Sequence, residues 1–129
     1  MTAKSVLVSD PKAAELERKL CAASCLACQQ ACEACAAALL ASAEMMELMN
    51  ECVRRCRDCA DICGLTANLL SRNSDLVIAV CALCAAACER CGEECSHHDH
   101  PLCIECANAC LECAGHCRKA AEVVPATAS

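Results

Sequence analysis

The residues with the most chemistry to offer are thiols. The chain has 19 cysteines in 129 residues, and they fall into four blocks: Cys21, Cys25, Cys28, Cys32 and Cys35; Cys52, Cys56, Cys59 and Cys63; Cys81, Cys84, Cys88, Cys91 and Cys95; Cys103, Cys106, Cys110, Cys113 and Cys117. Inside every block the interval alternates between three and four residues. That alternation is the a/d pattern of an α-helix, which puts all members of a block on one stripe facing its neighbours. Eight of the intervals are CxxxC units, from Cys21/Cys25 to Cys113/Cys117. Their two sulfurs stand one helical turn apart on the same face, so they can clasp one soft ion while a facing helix supplies a third thiolate.

Three uses of so many thiols compete. Buried cysteine serves as a small hydrophobe, but a core needing only apolar volume uses Leu, Ile and Val, which bury more area and do not oxidise. Disulfides fit poorly, because cysteines three or four apart on one helix lie at or beyond the far limit of the bridging range and their number is odd. Metal binding is left, and the pattern selects the metal. Tetrahedral zinc and iron–sulfur sites take paired CxxC units from turns or knuckles, whereas these repeats run unbroken along helices.

Cu(I) is soft and prefers thiolate and thioether ligands. It carries a single positive charge, so a core of thiolates that each bridge two ions approaches neutrality near one ion per cysteine. Zn²⁺ at four thiolates would bury net negative charge, and no basic residue stands on the stripes between the outermost cysteines of a block to offset it. The expectation is a capacity of roughly ten to twenty Cu(I) per chain. The alternatives are a thiol-redox or Fe–S protein, in which an accessible low-pKa CxxC among strands is expected, and a metallothionein-like zinc or cadmium buffer.

Holding four stripes in register needs four helices. Ala, Glu, Gln, Arg and Leu between the cysteines favour helix, and breaker residues fall where one block ends and the next begins. Ser9 or Asp10 before Pro11 reads as an N-cap. The first helix is therefore expected from Pro11 to the region of Ala41 to Ala43, with a turn near Ser42 to Glu44. The second is expected from Met45 through Leu70, stopping around Arg72 and Asn73. Ser74 or Asp75 is expected to cap a third helix reaching Cys95. The run from Ser96 to Pro101 breaks it, and a fourth helix extends to about Glu122. Short connections predict an all-α, up-down-up-down four-helix bundle with a cysteine-lined core, one domain over residues 11–122. Residues 1–10 are expected to be flexible and 123–129 a disordered tail. With no Phe, Trp or Tyr in the chain, cysteine is the residue numerous enough to fill the interior.

This topology brings the turn after helix one and the histidine-rich turn after helix three to the same end. Extending the second stripe backwards reaches Met49 and Met45, and extending the third forwards reaches His98. Met at helical spacing is ordinarily a gap filler, and His in a turn is ordinarily solvated. Together with His97 and His100 they outline a mouth, where thioether and imidazole bind Cu(I) more weakly than thiolate does. Met45, Met49, His98 and His100 therefore join the cysteines as candidate ligands. The opposite end, near Leu69, Leu70, Leu76, Val77 and Val80, reads as apolar and closed. His116 falls off its stripe and is expected to face solvent or a subunit contact.

Other classes are disfavoured. A net charge of −6 without a basic stripe argues against nucleic acid. No run of eighteen consecutive apolar residues predicts a membrane span. Residues 1–10 hold one Lys and no apolar run, twin arginine or cleavage motif of an export signal, so a cytosolic protein is expected. No nucleophile–base constellation or phosphate-cradling glycine loop suggests an enzyme.

The run Cys81-Ala-Leu-Cys84-Ala-Ala-Ala-Cys88-Glu-Arg-Cys91-Gly-Glu-Glu-Cys95, the following His98-Asp99-His100, the block Cys103 to Cys117, and Cys59-Ala-Asp-Ile-Cys63 together resemble the bacterial copper storage proteins, in particular the cytosolic branch without an export signal. The resemblance spans about Cys21 to Cys117. It implies a bundle that fills its lumen with Cu(I) through inward cysteines, assembles as a homotetramer and carries His and sometimes Met at its open end. A copper donor or acceptor protein is the partner such a role would call for. Where that family tends to have histidines after helix one, this chain has Met45, Met46 and Met49.

Overall fold

The computed structural model describes residues 10–122, so all but Asp10 of the expected flexible stretch 1–10, and the expected tail 123–129, lie outside the described residues. Four helices follow one another: α1 (Pro11–Leu40), α2 (Ala43–Ser71), α3 (Val77–Cys95) and α4 (Pro101–Glu122). Among the described residues there is no strand. α1 packs on α2 and α4, and α3 packs on the same two. Consecutive helices joined by short turns are thereby antiparallel neighbours, and the four close into the expected bundle.

The helix ends are set by named side chains. Asp10 is the N-cap of α1, its carboxylate accepting from the backbone N–H groups of Lys12 at 3.0 Å and Ala13 at 3.4 Å. Ser42 does the same for α2, accepting from Met45 N–H at 3.3 Å. α2 consequently starts at Ala43, two residues before the expected Met45. Its far end closes through Asn73, which takes φ 49°. The Asn73 N–H donates to Leu70 O at 3.1 Å and the Ser74 N–H to Leu69 O at 3.0 Å. This reciprocal pair satisfies carbonyls the helix would leave open, and Asn tolerates the left-handed backbone it needs.

α3 begins later than a cap at Ser74 or Asp75 would give. The Ser74 hydroxyl accepts from Leu76 N–H at 3.1 Å and its carbonyl from Val77 N–H at 3.2 Å. Ser74 thus shapes the turn, and Leu76 occupies the capping position without a side-chain bond. α1 is long and apolar enough by length and composition to cross a membrane, with mean hydropathy 1.3 over its best window. That hydropathy comes from Ala and Cys, and in the bundle the five cysteines of α1 are turned inward.

The interior is built as the composition dictates. All 19 cysteines have no exposed surface, and Leu39, Thr66 and Val77 are the other large side chains buried this completely. Small residues let the helices approach: a Cβ at Gly92 would stand 3.3 Å from Cys110 Cβ and 3.5 Å from the Ala107 carbonyl oxygen. Gly92 therefore holds α3 close to α4.

Candidate metal centre

The four stripes meet as two antiparallel ladders of sulfur. Along α1 and α4 the rungs are Cys21–Cys117, Cys25–Cys113, Cys28–Cys110 and Cys32–Cys106, each 3.6 Å between Sγ atoms, and Cys35–Cys103 at 3.5 Å. Along α2 and α3 they are Cys52–Cys95 at 3.2 Å, Cys56–Cys91 at 3.8 Å, Cys59–Cys88 at 3.7 Å and Cys63–Cys84 at 3.8 Å. Every step of three or four up one helix is answered by the same step down its partner, because all four blocks carry the same alternation.

The ladders are cross-linked. Cys28 Sγ lies 3.9 Å from Cys59 and 4.0 Å from Cys88, Cys56 lies 3.7 Å from Cys106, and Cys32 lies 3.9 Å from Cys91. Sets of four sulfurs, mutually within 4.8 Å, result: Cys25, Cys84, Cys113 and Cys117; Cys28, Cys59, Cys63 and Cys88; Cys28, Cys32, Cys59 and Cys110; Cys32, Cys91, Cys106 and Cys110; and Cys35, Cys52, Cys56 and Cys95. With metal–sulfur bonds of about 2.3 Å, sulfurs sharing one ion sit roughly 3.8–4.0 Å apart; the rungs and cross-links, from 3.2 Å at Cys52–Cys95 to 4.0 Å at Cys28–Cys88, run from somewhat inside that spacing up to it. Neighbouring sets share corners, Cys28 with Cys59 and Cys32 with Cys110. A shared sulfur is a bridging ligand, so the array suits many ions held side by side rather than isolated four-ligand sites.

All 19 thiols are unpaired, and burial resists their ionisation. It pushes Cys103 up to about 11. At Cys81 the hydrogen bond with Cys117 lowers the value, but the contact with Cys21 and burial outweigh it and leave the thiol at about 12. Cys59, whose leading partner is Cys110, is drawn down to about 7. Among the described residues no Lys or Arg is buried as a whole side chain, so a soft cation is what converts these thiols to thiolates, releasing their protons.

The candidate mouth is assembled at one end from the two turns. Met49, 7% exposed, sits at a break in α2 (φ −127°, ψ 29°) three residues before Cys52. Met45 is half-buried and packs on the core, whereas Met46 turns outward. Half-buried His98 has Nε2 3.0 Å from the Glu94 carboxylate. His100 Nδ1 accepts from Leu102 N–H at 3.1 Å, which makes it the N-cap of α4 and leaves its proton on Nε2. His97 is exposed. The structure thus packs Met45 and Met49 on the cysteine core, turns the His98 ring to Glu94 and gives His100 a structural bond. Sequence reasoning missed both the Glu94 partner and the capping role, although His100-Pro101 repeats the Asp10-Pro11 signature and Glu94 precedes His98 by one turn.

At the other end Leu69, Leu70, Val77 and Val80 are buried as expected, but Leu76 is 56% exposed. It heads the turn into α3 rather than plugging the bundle. His116 is half-buried and stands 4.0 Å from Glu112. Thr66 was also unforeseen. The α2–α3 register that pairs Cys63 with Cys84 brings residue 66 opposite Cys81, and Thr66 is fully buried there with its hydroxyl donating to the Ile62 carbonyl at 2.7 Å.

A helical bundle whose lumen is a continuous array of buried thiols in mutual contact, with no Lys or Arg side chain buried among the described residues, defines a container for soft metal ions. The profile of one family, described as copper storage protein, matches residues 14–122, and the chain belongs to that family. Among solved structures it is similar to the Cu(I)-bound copper storage protein BsCsp3 of Bacillus subtilis, with 39% identity over 81% of this chain and 98% of that one and a TM-score of 0.77. It is also similar to a cytosolic copper storage protein from Streptomyces lividans bearing five coppers, with 38% identity over 84% and 94% of the two chains and a TM-score of 0.79. The Streptomyces lividans protein loaded with 10 copper equivalents matches at 38% identity over 84% and 86%, with a TM-score of 0.78. Comparison with curated proteins gives no match.

Proposed function

We propose that this protein is a cytosolic store that sequesters roughly ten to twenty Cu(I) per chain on its inward thiolates and performs no catalysis. The observation that carries the reading is the pair of sulfur ladders whose four-sulfur sets share corners, since bridging sulfurs balance one monovalent cation per thiolate and leave little charge in a buried lumen. The copper-bearing relatives support the choice of metal, and the cytosolic Streptomyces lividans relative supports the compartment. Ions pass the mouth at Met45, Met49, His98 and His100, where weaker ligands suit transfer to and from a donor or acceptor protein. Neither nucleic acid nor membrane is a partner.

The chain works as a homotetramer. Large apolar side chains exposed on all four helices, among them Leu26, Leu48, Leu83 and Leu111, are surface that association would cover. The test is an anaerobic titration of the reduced protein with Cu(I) against a strong chromophoric chelator, with Zn²⁺ in parallel. Uptake of more than about ten Cu(I) before the chelator competes, undisturbed by Zn²⁺, is expected. Saturation at one or two ions, or tighter retention of zinc, would overturn it. Sedimentation equilibrium of apo and loaded protein checks the tetramer.

A further inference from the structure

Arg18 on α1 is a cation without an acceptor. Its side chain is half-buried, its Nη1 has no hydrogen-bond partner, and no carboxylate of the described residues forms an ion pair with it. Residues 1–9 and 123–129 contain no Asp or Glu, so no side-chain carboxylate outside the described residues answers it either. A guanidinium partly withdrawn from water costs free energy until an anion offsets its charge.

Arg18 lines a cavity of about 440 Å³ between α1 and the end of α2, a volume within the range of small-molecule sites. Lys19 and Arg72 line it as well, and Glu15 is the acid among its lining residues. Lys19 is already paired with Glu15 at 3.6 Å, which leaves the guanidiniums of Arg18 and Arg72 as two unanswered positive charges. The carbonyls of Leu69 and Leu70, which would repel an anion at this helix end, are taken by the N–H groups of Ser74 and Asn73 at 3.0 and 3.1 Å. Ser71 spends its hydroxyl proton on the Ala67 carbonyl at 2.8 Å, so the further side-chain donor is the amide of exposed Asn73. Ala22 and buried Leu70 give the cavity an apolar wall. Guanidinium groups match the paired oxygens of a carboxylate or a phosphate.

We propose that this α1–α2 cavity binds a small organic dianion, a phosphate monoester or a dicarboxylate, whose charged oxygens bridge Arg18 and Arg72 while its carbon body lies against Leu70 and Ala22. Two charges on the ligand match the two guanidiniums that lack a partner. The occupant is approached from the surface, past exposed Arg72 and Lys19, and needs no entry into the lumen. The site is therefore independent of the thiols and of the storage reading above.

The test is a titration of the reduced protein with glycerol 3-phosphate and, separately, with succinate, followed by backbone amide NMR. It is run at about pH 8, where a phosphate ester carries nearly two charges, and at constant ionic strength set with chloride. At least one probe is expected to saturate a single site, with shifts concentrated at Ala22 and residues 70–73, and the tighter of the two identifies the kind of dianion. Arg18→Gln and Arg72→Gln are each expected to weaken that binding by about tenfold, whereas Arg54→Gln, which removes a surface guanidinium paired with Glu51, leaves it unchanged. Arg72 is exposed, so its variant reports on the site even if Arg18→Gln disturbs the fold, which circular dichroism checks. Shifts that grow without saturation across the surface, binding retained by both Gln variants, or no response to either probe would overturn the proposal.

Discussion

Cys52 on α2 and Cys95 on α3 stand with their sulfurs 3.2 Å apart, immediately inside the candidate mouth. They form the first rung of the α2–α3 ladder, and Cys95 also reaches Cys56 at 3.7 Å. Replacing both by Ser keeps the volume nearly constant but removes two thiolates. The double variant is expected to remain helical by circular dichroism and to bind about two fewer Cu(I) per chain in the chelator titration. A capacity equal to that of the unsubstituted protein would show that this rung holds no metal.

Thr66 gives the opposite experiment. Cysteine at this position would complete the rung opposite Cys81 and add a twentieth sulfur to the lumen. Thr66→Cys is expected to raise capacity by about one ion, while losing a hydrogen bond to Ile62 worth about 1 kcal/mol in the apo-protein. Titration reads the first effect and thermal melting the second.

Alkaline pH should loosen the apo-bundle. Cys103 at about 11 and Cys81 at about 12 lie above the ordinary thiol value of 9.0. Groups with raised folded values contribute stability that is fully present below 9.0 and is lost as pH rises through the folded values. Anaerobic melting of the apo-protein is therefore expected to show Tm falling between pH 9 and 11. The Cu(I)-loaded protein, whose thiols have already lost their protons to the metal, should hold its Tm over the same range.

His100 carries two assignments that substitution can separate. His100→Asp preserves an N-cap acceptor for Leu102 but removes the imidazole, whereas His100→Ala removes both. Only the Ala variant is expected to lose stability, by about 1 kcal/mol. If His100 also passes Cu(I), both variants should load more slowly than the unsubstituted protein; equal loading rates would restrict His100 to capping.

The helix stripes, and with them nearly all of the lumen, were legible because the cysteine spacing encodes period and face at once. Cys28 and Cys110 could be placed on facing stripes from spacing alone; their 3.6 Å separation could not. What escaped was set by side-chain choices that periodicity does not weigh. Ser42 drew α2 back to Ala43, and Ser74 spent its hydroxyl on Leu76 and so delayed α3 to Val77. The break at Met49 has no Pro or Gly to announce it. Thr66 was invisible as a site because it interrupts a pattern rather than extending one, and becomes conspicuous only once the α2–α3 register is known.

The sulfurs form an unbroken succession from Cys35 and Cys52 to Cys84 and Cys117, in which neighbouring sets either share a cysteine or are joined by Sγ contacts, Cys56–Cys106 at 3.7 Å and Cys63–Cys84 at 3.8 Å. An ion can therefore advance by trading one thiolate for the next, never leaving sulfur and never meeting water on the way. Motion of that kind makes the lumen a column loaded from its mouth, in which ions reach the deep positions by passing along the shallower ones. Copper inside would then be sorted by age, the most recent arrivals nearest the histidines and the longest-held ions farthest from them.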